Sequence, residues 1–165
     1  MCSSILAMYR PHKLAWVDRV LREGRDAGAG VDGTHVAPAT LGGVRRILKH
    51  LRRGGTTFIL PDQVPGVGEG EWVEFFGRPA YTMTLVGRLQ QASGAVLVFC
   101  YAERLAAGAG YAMHFRPFEG ELPGDGPAAA RKVNEGVEGL VRECPQQYLW
   151  GYNRYKRPAG APPPP

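Results

Sequence analysis

Apolar residues along this chain change their period several times, and each change outlines an element. "SSILAMYR" (3–10) is a short apolar run that reads as a strand ending at Arg10-Pro11. Over 12–25, Leu14, Val17, Val20 and Leu21 recur at helical spacing, with Arg19, Arg22, Glu23 and Arg25 mainly off that face. Glycine and alanine loosen the pattern through 26–38. A second amphipathic helix follows over 40–55, with Leu41, Val44, Leu48 and Leu51 as its stripe and Gly54-Gly55 as its end. "TTFIL" (56–60) predicts a short buried strand that stops at Pro61-Asp62-Gln63, ahead of a glycine-rich loop and an aromatic cluster.

Residues 82–93 return to helical period and Gly94 closes them. "AVLVFCYAERL" (95–105) is apolar on both alternating faces for most of its length, which predicts a central strand covered on each side. "YAMHFRPFE" (111–119) alternates instead, with Tyr111, Met113 and Phe115 on one face, as an antiparallel neighbour would. A last helix is predicted over 126–145, where Val133, Val137, Leu140 and Val141 form the stripe, Pro127 suits the first turn and Pro145 ends it. The expected fold is α/β, a mixed and mainly parallel sheet flanked by helices, with one domain over 1–157. Residues 158–165 are expected to be a disordered, proline-rich tail.

Composition narrows the class. With 165 residues and a hydrophobic fraction of 44%, the chain can bury a core. No run approaches the ~20 apolar residues needed to span a bilayer. "MCSSILAMYR" has no basic start or cleavage pattern, so no signal peptide is expected. Cys2, Cys100 and Cys144 are odd in number and unpatterned, which argues against a disulfide framework or a zinc site. A net charge of +5 suggests an acidic partner: nucleic acid, anionic lipid or an acidic protein.

The candidate chemistry is sparse. Asp62 and Gln63 stand at a strand end, where open α/β sheets bind ligands, although Pro-Asp also makes an ordinary turn. Arg10 ends the first strand and would reach the same sheet edge in a parallel arrangement, as a holder of phosphate or as a plain surface arginine. His12 and Asp18 are six apart and face away from each other on a helix, so they form no catalytic pair. His35, His50 and His114 stand alone, with no metal cluster expected. Cys100 reads as core, and Cys144 near a helix C-terminus has the wrong dipole for a thiolate. The helix at 40–55 carries Arg45, Arg46, Lys49, His50, Arg52 and Arg53 off its stripe, either as a solvated face or as contacts to anionic lipid or an acidic carrier. "PQQYLWGYNRYKRP" (145–158) interleaves aromatics with Arg154, Lys156 and Arg157. It would either stack on nucleic acid or pack its rings while its bases face a membrane.

In order, "MYRPH", "FILPDQ", "FFGRPAYTMT", "RLQQASGAVLV" and "PQQYLWGYNRYKRP" resemble the bacterial lipid A biosynthesis acyltransferases that add lauroyl or myristoyl chains. The likeness runs from about residue 5 to 158 and implies the C-terminal part of the glycerolipid/lysophospholipid acyltransferase fold. The family's defining His-x4-Asp motif precedes Tyr-Arg-Pro, but no histidine here has that spacing, and no apolar N-terminal anchor is seen. "GYN" stands where the family has a histidine after the tryptophan.

The resemblance implies a partial acyltransferase domain over 1–157, inactive alone, whose catalytic histidine lies upstream; no catalytic residue is expected in this chain. It implies substrate contacts by Arg10, Asp62 and Gln63, and membrane or carrier contacts by Arg45, Arg46, Lys49, Arg52, Arg53, Arg154 and Lys156. The implied partners are acyl carrier protein, whose acyl thioester is co-substrate, a lipid A precursor or other glycolipid, and the cytoplasmic face of the bacterial inner membrane. No cofactor, metal or nucleic acid is expected. The alternative is a non-catalytic module that binds the membrane surface or acyl carrier protein.

Overall fold

The computed structural model describes residues 5–9, 14, 16–20, 23 and 34–165. It divides into two compact units, Met1–Ile59 and Leu60–Pro165.

In the first unit, β1 (Ile5–Tyr9) pairs in parallel with β2 (Thr34–Pro38), from Ile5↔Thr34 to Tyr9↔Pro38. Residues 16–20 are helical, as expected, and the rest of the predicted 12–25 helix lies outside the described residues apart from 14 and 23. Helix α1 (Leu41–Leu51) packs on both strands. Thr40 caps it by accepting the Gly43 amide at 3.3 Å, which satisfies one of the free donors of the first turn. The buried face is rotated from the predicted stripe: Gly43 and Ile47 are buried, Leu41 is exposed, and Val44, Leu48 and Leu51 are half-buried. The rotation follows from Gly43, where a side chain would collide with the Pro38 carbonyl. Only a bare Cα lets the helix come so close to β2.

The buried strand expected over 56–60 is corrected. Thr56 makes a single parallel bridge to Ile5, its carbonyl accepts the Leu6 amide at 2.9 Å, and the Thr57 hydroxyl donates to the Leu6 carbonyl at 2.6 Å. Beyond that the chain is irregular, with Phe58 and Leu60 exposed. Pro61, which has no amide hydrogen to give, stops any further ladder.

The second unit is built on α3 (Gly126–Glu143), capped by Asp125, whose Oδ2 accepts the Ala128 amide at 3.2 Å. Pro127 sits in its first turn, as its fixed φ favours. Against α3 lie a hairpin of β3 (Gly70–Phe75) and β4 (Arg78–Met83), the helix α2 (Leu85–Ser93), and strand β5 (Val98–Arg104). Gly94, left-handed at φ 68°, ends α2 as predicted. That helix begins at Leu85 because Thr82 and Met83 belong to β4. The β3–β4 turn is Phe76-Gly77, with φ of 48° and 71°. Positive φ at both central residues is the arrangement whose twist matches the flanking strands.

β5 pairs only with the antiparallel β6 (Tyr111–Pro117), from Val98↔Pro117 to Arg104↔Tyr111. Among the described residues the predicted central strand and mainly parallel sheet are therefore replaced by three two-stranded ladders, two of them antiparallel. The short loop after β5 cannot make the long crossover a parallel neighbour requires. Phe99 packs its ring on Gly136 of α3, whereas Val98, Tyr111, Met113 and Phe115 lie exposed on the other face. Cys100 shares that outer face and is half-buried, not core.

The proline-rich end, expected to be unpacked, makes contacts. Pro162 accepts the Trp72 indole N–H at 2.9 Å, Ala161 accepts from Arg157 Nε at 2.8 Å, and Ala161 is buried. Among the described residues no helix is long and apolar enough to cross a membrane.

A methyl added at Gly136 would enter the Phe99 ring. Gly136→Ala is expected to cost about 1–3 kcal/mol, the usual penalty of overpacking. Urea unfolding should record it, and Phe99→Leu in the same background should restore part of the loss.

Candidate functional site

The acidic turn supplies the first group. Pro61 fixes its entry, and the Gln63 amide closes it on the Leu60 carbonyl at 3.3 Å. Asp62 is half-buried there, and its Oδ2 accepts the Tyr148 hydroxyl at 3.1 Å. Two residues on, the Val64 amide donates to the Tyr152 hydroxyl at 2.8 Å. The turn is therefore held by two phenols from the far end of the sequence. Gln63 is exposed.

Tyr148 lies beside Phe75, with ring centroids 6.4 Å apart, and meets Trp150 edge-on at 4.9 Å. Burial, and then the adjacent Asp62 charge, raise its phenol well above the ordinary value. The hydroxyl is thus a donor throughout the physiological range.

Arg154 is the anchor of this closing segment. Only 3% exposed, it cannot be the membrane or carrier contact its basic neighbourhood suggests. Its Nη1 donates to the Tyr81 carbonyl at 2.9 Å, and Nη2 to Thr82 Oγ1 at 2.6 Å and Asn134 Oδ1 at 3.2 Å. The guanidinium carbon lies 5.1 Å from the Phe75 ring centroid, a cation–π distance. Asn134 in turn donates to Thr82 Oγ1 at 3.1 Å and the Glu74 carbonyl at 2.7 Å. Burial lowers the Arg154 pKa, and the Asp62 charge is the largest influence opposing that shift. Arg154 Nε is buried without a partner. Tyr155 completes the segment by donating to the Phe75 carbonyl at 2.9 Å, with Arg78 stacked 4.2 Å over its ring.

A second buried charge stabilises the neighbouring turn. Glu138 accepts the Phe76 amide at 2.9 Å, Arg131 Nη1 at 3.0 Å and Arg142 Nη2 at 3.1 Å. Burial works against its charge, but those donors outweigh it and hold the carboxyl below the usual range. The left-handed Phe76 is thereby fixed from α3.

Other predicted residues are dispersed. Arg10 and His12 lie outside the described residues. Arg45, Arg46 and Lys49 on α1 and Arg52 and Arg53 just past its end are exposed, and all but Arg46 line an open hollow with Leu48. Lys156 is exposed, its ammonium 5.0 Å over the Tyr152 ring. His114 does not stand alone: its Nε2 lies 2.9 Å from Glu103 Oε2, and its ring stacks on Tyr101 at 4.6 Å. The antiparallel register places Glu103 diagonally across from it. Among the described residues no His, Cys, Asp and Glu group could hold a metal ion. Thr82 and Asn134 left no signal in the sequence, and Tyr148 and Tyr152 only the aromatic repeat in "YLWGYNRY".

Comparison with known proteins gives these residues a context. The family pattern described as bacterial lipid A biosynthesis acyltransferase matches residues 1–157. A lipid A biosynthesis acyltransferase of Haemophilus influenzae is 29% identical over 87% of this chain and 43% of its own length. The palmitoleoyltransferase of lipid A biosynthesis in Escherichia coli is 28% identical over 97% of this chain and 51% of its own. The Escherichia coli lauroyltransferase is 32% identical over 72% of this chain and 40% of its own. The chain thus spans about half the length of the curated relatives it matches, or less.

Because folding raises the Tyr148 pKa above its ordinary value of 10.0, the stability this phenol supports is intact below that pH and falls as pH climbs toward the folded value. Asp62→Asn removes one cause of the rise, so unfolding measured above about pH 10 should show a smaller alkaline loss than the wild type. Tyr148→Phe should remove that component altogether.

Proposed function

The chain belongs to the bacterial lipid A biosynthesis acyltransferase family, and on that premise we propose that it is the acceptor-holding portion of an enzyme that moves a fatty acyl chain from an acyl carrier protein thioester to a lipid-linked sugar hydroxyl. The match over residues 1–157 carries the reading. The half-buried Asp62, held by Tyr148, supplies a carboxylate for it.

In this scheme the sugar hydroxyl oxygen attacks the thioester carbon, the C–S bond breaks, and the departing thiolate ends as a thiol. A histidine takes the hydroxyl proton as general base and returns it to the sulfur. No histidine in these 165 residues has the His-x4-Asp spacing, so that base is assigned to sequence outside them. Asp62 and Gln63 orient the acceptor, and Arg10 holds an anionic group of the glycolipid or of the carrier's pantetheine arm. Arg45, Arg46, Lys49, Arg52 and Arg53 in the first unit, and independently Lys156 in the second, meet the acidic carrier or anionic headgroups at the cytoplasmic face of the inner membrane.

One observation favours a second reading. Arg45, Arg46 and Lys49 on α1 and Arg52 and Arg53 in the turn that follows it are all exposed, as a binding module without catalysis would need.

The purified protein should bind lauroyl-acyl carrier protein in a salt-sensitive manner and bind a detergent-solubilised lipid A precursor, yet transfer nothing. Fusing a relative's N-terminal segment, with its His-x4-Asp motif, should restore transfer measured by thin-layer chromatography. Transfer by the 165 residues alone would refute the division of labour, and failure to bind either substrate would refute the reading. Carrier binding with an inert fusion would favour the module.

A further inference from the structure

A carboxylate in a turn can rotate, and a donor fixed on one oxygen decides which oxygen remains to bind something else. At Asp62 that donor is the Tyr148 hydroxyl on Oδ2, the one hydrogen bond to this carboxylate among the described residues. The same segment holds the turn's backbone through Tyr152 and the Val64 amide. Arg154, between these aromatics and the core, ties the segment to β4 and α3. Resting on the assignment of Asp62 to acceptor binding, we propose that Tyr148 is its positioning residue: the phenol occupies Oδ2 and leaves Oδ1 to accept the hydroxyl of the lipid-linked sugar.

The chemistry of the donor suits the task. A lysine or arginine on Oδ2 would also fix the carboxylate, but it would offset the negative charge that draws the sugar hydroxyl. A phenol fixes the geometry and adds no positive charge to the one Arg154 already places nearby. Burial and the Asp62 charge keep this phenol protonated, so it never competes as an anion. The charge that most supports Arg154 electrostatically is again Asp62, so turn and anchor stabilise each other. Tyr152 acts one peptide further on, where losing its hydroxyl frees the Val64 amide without touching the carboxylate.

The test is equilibrium binding of a detergent-solubilised, acylated glucosamine disaccharide phosphate to the whole 165-residue protein. Tyr148→Phe keeps the ring and removes the donor, and is expected to raise Kd about tenfold, the scale of a lost hydrogen bond to a charged group. Asp62→Asn should do the same, and the double variant should be no weaker than either single one, since both break one unit. Gly136→Ala, which lowers stability away from the turn, should leave Kd unchanged. Hydrogen exchange at the Val64 amide should accelerate in Tyr152→Phe, with a several-fold weaker Kd.

Wild-type binding that Tyr148→Phe leaves intact would overturn the positioning role while sparing the assignment of Asp62. Multiplying effects in the double variant would do likewise, because they would show the two residues acting separately. No binding by the wild type would overturn both. Should Tyr148→Phe fail to fold, an unchanged Kd in Tyr152→Phe would overturn the role of the segment.

Discussion

A guanidinium withdrawn from water needs acceptors for its donors, and the second unit is arranged to supply them to both terminal nitrogens of Arg154 while Nε stays unpaired. Arg154 reaches the Tyr81 carbonyl and Thr82 Oγ1 on β4 and Asn134 Oδ1 on α3, and it lies over the Phe75 ring at the end of β3. A hairpin and a helix distant from it in sequence are thus joined by one side chain. Thr82 and Asn134 are polar residues in core positions because the arginine requires acceptors there, and Asn134 turns its amide nitrogen the other way to donate to the Glu74 carbonyl. A lysine could not replace this fork, since a single ammonium cannot address the same spread of acceptors in fixed geometry.

The buried Glu138 carboxylate has the opposite sign and a related role. It gathers Arg131, Arg142 and the Phe76 amide, and so joins α3 to the tip of the β3–β4 hairpin. A left-handed phenylalanine is uncommon, and an amide held by a charged acceptor stabilises it. The hairpin is therefore gripped at its turn by an acid and at its open end by a base. Asp62 is attached through Tyr148 to the closing segment that carries Arg154.

Much of this was legible in the sequence where local signals suffice. The last helix announced itself through a proline in the first turn and a regular apolar stripe, and it runs over Gly126–Glu143. Gly94 marked the end of α2, and the alternation at 111–119 foretold an antiparallel strand. The β3–β4 hairpin stayed hidden because "EWVEF" does not alternate cleanly and Pro79 argues against a strand. Pro79 is tolerated because, among the described residues, β4 pairs with β3 alone and its other side has no strand to hydrogen-bond. Double-faced apolarity at 95–105 suggested a central strand, yet one face of that strand is exposed beside Met113 and Phe115. Arg154 could not be placed from its neighbours, because its partners Thr82 and Asn134 lie far away along the chain. The family was readable from the order of short motifs, and the match to residues 1–157 agrees.

The Asp62–Tyr148 hydrogen bond spans 86 positions. Synthesis runs from the N-terminus, so a nascent chain exposes its acidic turn long before the phenol and guanidinium that organise it have left the ribosome. Hairpins and helices formed from near neighbours can assemble early, whereas this closure waits for the final stretch. A chain cut short before Tyr148 would present an unset carboxylate and leave Thr82 and Asn134 in the core without the guanidinium they serve.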